Sequence, residues 1–284
     1  MRHRFDVRVG PRRFRIGSDW RAPIAALEQL YASYPQQRDA IPHCTVRLEA
    51  TSVLRRWLRP RVAIQGDYVL PEAVPVSLAH GLLAAEMGMN LQLALGERRF
   101  LLLHASAVER DGRALLMPGE SGSGKSTLAA LLGTQGWRFL GDEFALLDPW
   151  TGLLHPFPRP ASLKNAAIAE MQRFCPRSHF GPVIRDTPKG EICHMVPEDA
   201  ALAAMERPAA PALILFPRFG QASKSRALER AETFVRLTQA STNYVALGEA
   251  GFDALARLVA EVPAHAVDYP DTESGLLAVE ALWR

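Results

Sequence analysis

Polar and apolar residues alternate from Phe5 to Ile16 on either side of Gly10-Pro11, the pattern of a β-hairpin with one buried face. Ile24, Leu27, Leu30 and Tyr31 then recur at helical spacing and predict an amphipathic helix over Pro23–Tyr34. Cys44–Glu49 and Arg61–Gly66 are two further strand segments, so the first part of the chain reads as a small α+β module. Pro71 and Pro75 flank a turn-like stretch that marks a boundary, giving units of residues 1–72 and 73–284. A helix over Ser77–Leu95 follows. Two apolar runs, Arg99–Val108 and Ala114–Met117, are joined through Asp111-Gly112 and predict a second hairpin. Farther on, Ala212–Phe216 reads as a strand, Gly251–Glu261 as a helix, and the Ala/Pro-rich stretch Ala200–Ala212 as a surface connection.

The 284 residues are 48% hydrophobic and 22% charged, an ordinary globular composition that excludes a disordered, collagen-like or coiled-coil chain. Lys and Arg number 33 against 30 Asp and Glu, a net charge of +3, which argues against a nucleic-acid partner. Three scattered cysteines without CxxC spacing fit a reducing compartment and no structural zinc. The N-terminus is charged by residue 6 and has no apolar stretch of signal-peptide type. The apolar segments at Leu82–Leu95 and Ala209–Phe216 fall short of the ~20 residues of a membrane span. The expectation is a cytoplasmic protein without a membrane partner.

The chemistry is concentrated between residues 100 and 190. Gly119-Glu120-Ser121-Gly122-Ser123-Gly124-Lys125-Ser126-Thr127 satisfies the phosphate-loop pattern G-x-x-x-x-G-K-[ST] at every position. Glycines admit the backbone torsions and close approach that turn N–H groups onto phosphates at the positive end of a helix. Lys125 would reach the β and γ phosphates, and the Ser126 hydroxyl would ligate Mg²⁺. The context agrees: the apolar run Ala114–Met117 precedes the loop. Leu128, Leu131 and Leu132 give the following helix, Lys125–Gln135, a buried face, and Gly136 can cap it. A second short strand, Trp137–Gly141, ends in Asp142-Glu143. Asp142 is placed to hold the metal or to act as a base, with Glu143 as a further metal or water-positioning candidate. His104 lies in the apolar run before the hairpin.

Leu103-His104-Ala105, Gly119–Thr127 and Gly136-Trp-Arg-Phe-Leu-Gly-Asp142-Glu143 together resemble the catalytic domain of HPr kinase/phosphorylase, and more closely the HPr-kinase-related kinase A group. Arg159-Pro-Ala-Ser-Leu-Lys164-Asn165, Thr187-Pro-Lys189-Gly190 and Ser241-Thr-Asn243 also resemble that group, and the resemblance covers roughly residues 77–250. It implies an α/β (α+β mixed-sheet) kinase fold of the type shared with phosphoenolpyruvate carboxykinases. It implies transfer of the γ-phosphoryl group of ATP, with Mg²⁺, to a serine hydroxyl of a protein, peptide or small carrier, and a homo-oligomer. By resemblance Asp142 is the base and His104 its partner. The Glu-Ile-Arg-Gly type segment linked to phosphorolysis in HPr kinase is absent, and Arg159–Lys164 stands in a broadly similar place. Independently of resemblance, cations near the loop would stabilise charge on the transferring phosphoryl, and Arg159, Lys164 and Lys189 are the candidates. Other functions stay open: a phosphate-loop ATPase driving a conformational switch, a small-molecule kinase, or a nucleotide-binding module without catalysis. No guanine-reading Asn-Lys-x-Asp and no Leu-Ser-Gly-Gly-Gln segment is present, which argues against a GTPase switch and a transporter ATPase.

Overall fold

Gly10 turns the chain from strand β1 (His3–Val9) into β2 (Arg12–Ser18) with φ at +51°. A Cβ there would also fall 2.0 Å from the carbonyl oxygen of Pro156, so the turn needs glycine on both counts. The computed structural model describes residues 2–36 and 40–283. The hairpin read from the sequence is present, and Phe5, Val7, Val9, Phe14 and Ile16 form its buried face. Helix α1 (Arg21–Leu30) ends one turn earlier than its apolar spacing suggests, because Tyr31 and Tyr34 leave the helix to pack as buried aromatic rings 4.7 Å apart. Strands β3 (Cys44–Ala50), β4 (Arg61–Gly66) and β5 (Val76–Ser77) complete a sheet in the order β1-β2-β3-β4-β5. Helix α2 (Gly81–Gly96) lies on β3 and β4, and Gly88 lets it approach so closely that a Cβ would meet Val46 at 2.5 Å.

The chain then builds the rest of the molecule as mixed α/β structure. Strands β6 (Leu101–Leu103), β7 (Ala105–Arg110) and β8 (Arg113–Pro118) lead to helix α3 (Lys125–Gly133), β9 (Arg138–Gly141) and β10 (Ala145–Leu147). After β11 (Leu154–His155) come β12 (Ala161–Lys164), helix α4 (Ala166–Phe174), β13 (Ile184–Thr187), β14 (Gly190–Met195) and helix α5 (Asp199–Ala203). The final part is β15 (Ala210–Phe219), β16 (Lys224–Ala227), helices α6 (Arg230–Ala240), α7 (Tyr244–Leu247) and α8 (Glu249–Glu261), β17 (Ala264–Tyr269) and helix α9 (Thr272–Leu282).

Six strands form the main sheet in the order β16-β17-β15-β8-β7-β9, with β8, β15 and β17 parallel. Side chains alternate across it, so its two faces carry separate cores. One, with Leu115, Leu213, Leu215 and Val267, is covered by α3 and α9. The other, with Leu116, Ile214, Phe216 and Ala264, is covered by α6 and α8. Leu128, Leu131 and Leu132 of α3 are buried as the sequence suggests, each worth at most about 1.5–3 kcal/mol. Two smaller sheets, β11-β10-β6 and β12-β14-β13, flank the main one.

The stretch 200–212 is a surface connection only in part: residues 206–208 are an exposed link between a helix and a strand. The stretch also contains most of α5 and the start of β15, and Ala201, Leu202, Met205 and Ala209 are buried, because small and apolar side chains here close the end of the core beside β9. Among the described residues, no helix is long and apolar enough to cross a membrane.

Candidate phosphate-transfer site

Two chain segments cross together from one sheet to another, and the candidate site lies at the crossing. β6 pairs with β10 in the three-stranded sheet, while β7 pairs with β9 in the main sheet, both antiparallel. The single residue between β6 and β7 is His104. The residues between β9 and β10 are Asp142, Glu143 and Phe144. Breaking both strands at the same level frees these side chains from the pleat and puts them side by side. His104 is anchored by its own N–H, which donates to Ala240 O at 2.7 Å. Its Nε2 lies 3.4 Å from Oε2 of Glu143. Glu143 adopts φ +71°, a left-handed conformation that costs a glutamate energy and turns its carboxylate outward. Hydrogen bonding from His104, with its charge, outweighs burial and pulls the Glu143 carboxyl down to about 2.

Asp142, one residue earlier, points the other way and is 2% exposed. Its Oδ1 accepts the Ser106 hydroxyl at 2.6 Å and its Oδ2 accepts the Ser162 N–H at 3.1 Å, tying β7 to β12. The histidine that the resemblance couples to Asp142 is therefore placed against Glu143 instead.

The loop Gly119–Gly124 follows β8 at the C-terminal end of the parallel strands, where open α/β sheets place ligands. Gly119, Gly122 and Gly124 have φ of +153°, +89° and +92°. At Gly124 the constraint is double, since a Cβ would meet the Tyr269 hydroxyl at 2.5 Å. The loop is pinned to β15 by the Phe219 N–H donating to Ser123 O at 3.1 Å. Lys125 is 5% exposed and curls back, its Nζ donating to Glu120 O at 3.0 Å. Burial lowers its ammonium pKa, and the charges of Asp142 and Glu143 oppose that shift.

A cavity of about 540 Å³ opens from the loop on the α3 side of the sheet. Lys125, Ser126 and Thr127 line it together with His104, Glu143, Lys164 and Lys189. The structure thus gathers Lys164 and Lys189 beside the loop, and the Lys164 ammonium is 3.5 Å from Ser121 Oγ. The two segments carrying these lysines are joined by Asn165, whose side chain donates to Lys189 O at 3.3 Å and accepts from the Glu191 N–H at 3.1 Å. Asp142 does not line this cavity, nor does Arg159.

Arg159 is 4% exposed and is engaged elsewhere. Its guanidinium is paired with Glu86 of α2, donates to Asn90 Oδ1, and lies 3.4 Å from the Tyr31 hydroxyl. Tyr31 in turn donates to Glu86 at 2.8 Å. Asn243 is also structural: its amide holds the carbonyls of Glu97 and Phe100 and accepts the Leu102 N–H, fixing the entry to β6.

Several lining residues carry no sequence signal. Phe219 and Tyr269, an edge-on aromatic pair 5.7 Å apart, form one wall, and the Tyr269 hydroxyl is buried without a hydrogen-bond partner among the described residues, as is Ser123 Oγ. They come from strand ends about 100 and 150 residues beyond the loop, and only the sheet order brings them there.

No known protein-family profile and no curated protein sequence matches the chain. Among solved structures it is similar to the Hpr(Ser) kinase/phosphatase from Coxiella burnetii, at 14% identity over 62% of this chain and 90% of that one, with a TM-score of 0.28. A likeness of that size bears on neither activity nor mechanism.

Proposed function

We propose that the protein is a kinase that transfers the γ-phosphoryl group of ATP to a hydroxyl, serine being the first choice. The observation that carries this reading is that a complete phosphate loop with a buried lysine sits in one cavity with a histidine-braced carboxylate and two further lysines. The triphosphate would lie along Gly119–Thr127. Lys125 would leave Glu120 O for the β and γ phosphates, a gain for an ammonium that burial disfavours until an anion arrives. Lys164 and Lys189 would face the equatorial oxygens, where charge grows as the phosphoryl moves.

The geometry favours Glu143 over Asp142 as the carboxylate that meets the acceptor. The acceptor oxygen forms its bond to the γ phosphorus as the bond to the β-phosphate oxygen breaks, and ADP leaves with that electron pair. The hydroxyl proton passes to the Glu143 carboxylate. A carboxylate pulled to about 2 is a weak base. Its work is to orient the hydroxyl and accept the proton late, as a loose transition state requires. Asp142 holds the crossing rigid from behind.

Mg²⁺ would be held by Ser126 and Glu143, which line the cavity, and would neutralise charge on the β and γ phosphates; Asp142 is buried with both carboxylate oxygens engaged by Ser106 and Ser162. The donor set fits: Mg²⁺ needs one or two carboxylates beside phosphate oxygens and water, and the Glu143 carboxylate and the Ser126 hydroxyl line one cavity with the phosphate loop. Among the described residues no cluster of three or more His, Cys, Asp and Glu forms a separate metal cage. The reading is tested by transfer of labelled γ-phosphate to a hydroxyl acceptor with and without Glu143→Gln. Phosphate release to water alone would replace the kinase with an ATPase.

A further inference from the structure

A second cavity, of about 1070 Å³, opens on the opposite face of the main sheet, the face covered by α6. It meets the first at His104, Ser121 and Gly122, which line both. Its floor is built by strand register. Phe216, Ala266 and Arg226 stand in one row across β15, β17 and β16, and Arg218, Asp268 and Lys224 stand in the next. Alternation sends all six to one face, away from the α3 side that holds the loop helix.

The charge on this face is arranged rather than scattered. Among the described lining residues, Arg218, Lys224, Arg226 and Arg236 face Glu120 and Asp268. Arg218 is matched by Asp268 through two hydrogen bonds of 3.0 and 2.6 Å. Arg226 and Arg236 share one acid, Glu232, which lies behind them and holds both guanidinium groups with bonds of 2.7–3.0 Å. Arg236 also stacks on Phe216, its guanidinium carbon 5.2 Å from the ring centroid. Two arginines on one carboxylate leave a positive charge held in fixed geometry, and Lys224 adds another without an ion-pair partner among the described residues. The excess lies at the β16–α6 end, and Glu120 lies at the loop end.

We infer that this cavity is the acceptor site, and that the acceptor is an anion: a hydroxyl compound whose carboxylate or phosphate groups lie at the β16–α6 end while its hydroxyl reaches His104 and Glu143. The word acceptor rests on the kinase reading above; the anion site does not. Nucleotide fills the α3-side cavity, where Lys125, Ser126 and Thr127 are. The space that remains open to the first half of the loop, where the γ phosphate would lie, is the cationic one. Fixed guanidinium groups bind carboxylate and phosphate at little ordering cost. The charge can belong to an acidic polypeptide segment or to a small anionic alcohol.

The test uses fluorescein-labelled Glu-Glu-Ser-Glu-Glu and Lys-Lys-Ser-Lys-Lys peptides, with binding read by anisotropy. The acidic peptide should bind at least tenfold tighter. Lys224→Gln with Arg226→Gln should remove most of that preference. Arg185→Gln, which makes a single-charge change on exposed β13, should leave it intact. The preference should persist in Lys125→Ala, which separates this cavity from the phosphate loop. Equal binding of the two peptides, or indifference to the Lys224 and Arg226 substitutions, would overturn the inference. Labelled phosphate on the acidic peptide would assign the anion to a polypeptide, and label on glycerate would assign it to a small molecule; both support it. Absence of any Lys125-dependent ATP turnover, with the charge preference intact, would overturn the kinase and leave an anion-binding site.

Discussion

The Nε2 of His104 lies 3.4 Å from the Oε2 of Glu143, although 39 positions separate them and each sits in a break between two strands. The pairing divides the two neighbouring acids into different roles. Glu143→Gln should lower phosphoryl transfer by about 10²–10⁴-fold with only a modest loss of stability, since the group is a third exposed and its amide can still hydrogen-bond His104. Asp142→Asn should behave otherwise: its amide oxygen can still accept the Ser162 N–H and its NH2 can donate to the Ser106 hydroxyl, but two bonds to a charged carboxylate become neutral ones in a buried site, costing about 1–2 kcal/mol of stability. Denaturant unfolding and single-turnover kinetics on both variants check this. Equal kinetic loss with equal stability would return the acceptor-facing role to Asp142.

Replacing Lys125 by Ala should reduce transfer by at least about 10²-fold, because the proposed reaction needs its charge on the β and γ phosphates. The nucleotide-free fold should be little harmed, since the Lys125 ammonium donates to a backbone carbonyl and its burial as a cation is unfavourable. Turnover near wild type would remove the loop from the mechanism.

Arg159 is expected to matter for folding rather than transfer. Arg159→Leu strands the buried Glu86 carboxylate and should cost about 3–5 kcal/mol. Replacing both residues, with Glu86→Gln added, should recover part of that loss. A stable Arg159→Leu protein with impaired transfer would contradict the placement.

Acid should unfold the protein in two stages through one buried group of residues. Burial, with the charge of Arg159, depresses the His194 pKa below 6.5, against the pull of Glu86, Asp142 and Glu143. For a group whose folded pKa is depressed, stability is complete above the unfolded value and falls as pH drops toward the folded one. The first loss therefore begins near pH 6.5. Glu86, which burial alone would push up, is pulled below 4.5 by Arg159, His194 and Tyr31, so its loss begins near pH 4.5. Melting temperature against pH should show the upper stage shrink in His194→Gln, the remainder coming from His43, His155 and His265, whose pKa values burial also lowers. An unchanged curve would mean that His194 does not titrate on unfolding.

The phosphate loop was legible because each of its requirements is local: a strand, glycines at set positions, a lysine and a helix. The Gly10-Pro11 hairpin was legible for the same reason. His104 and the Asp142-Glu143 pair were each visible, but not which acid the histidine meets. One residue of phase decides that, and it depends on two strands breaking at the same level. Arg159 looked like a free cation because its partner Glu86 lies on a helix 73 residues earlier. Lys164 and Lys189 were found by their charge within the segments that carry the resemblance, whereas Tyr269, Phe219 and the Arg226–Glu232–Arg236 cluster depend on sheet order, which no local pattern carries. The stretch 200–212 misled in part, because alanine and proline suit a surface turn as well as a tightly filled core edge.

Transfer of ³²P from γ-labelled Mg-ATP into lysate of the source organism, run beside Lys125→Ala and Glu143→Gln, tests the central claim most directly. The account predicts label on a hydroxyl-bearing acceptor, stable to mild acid as a phosphate ester, and lost in both variants. Label released only as inorganic phosphate, or an acceptor labelled equally by the Glu143→Gln protein, would contradict it.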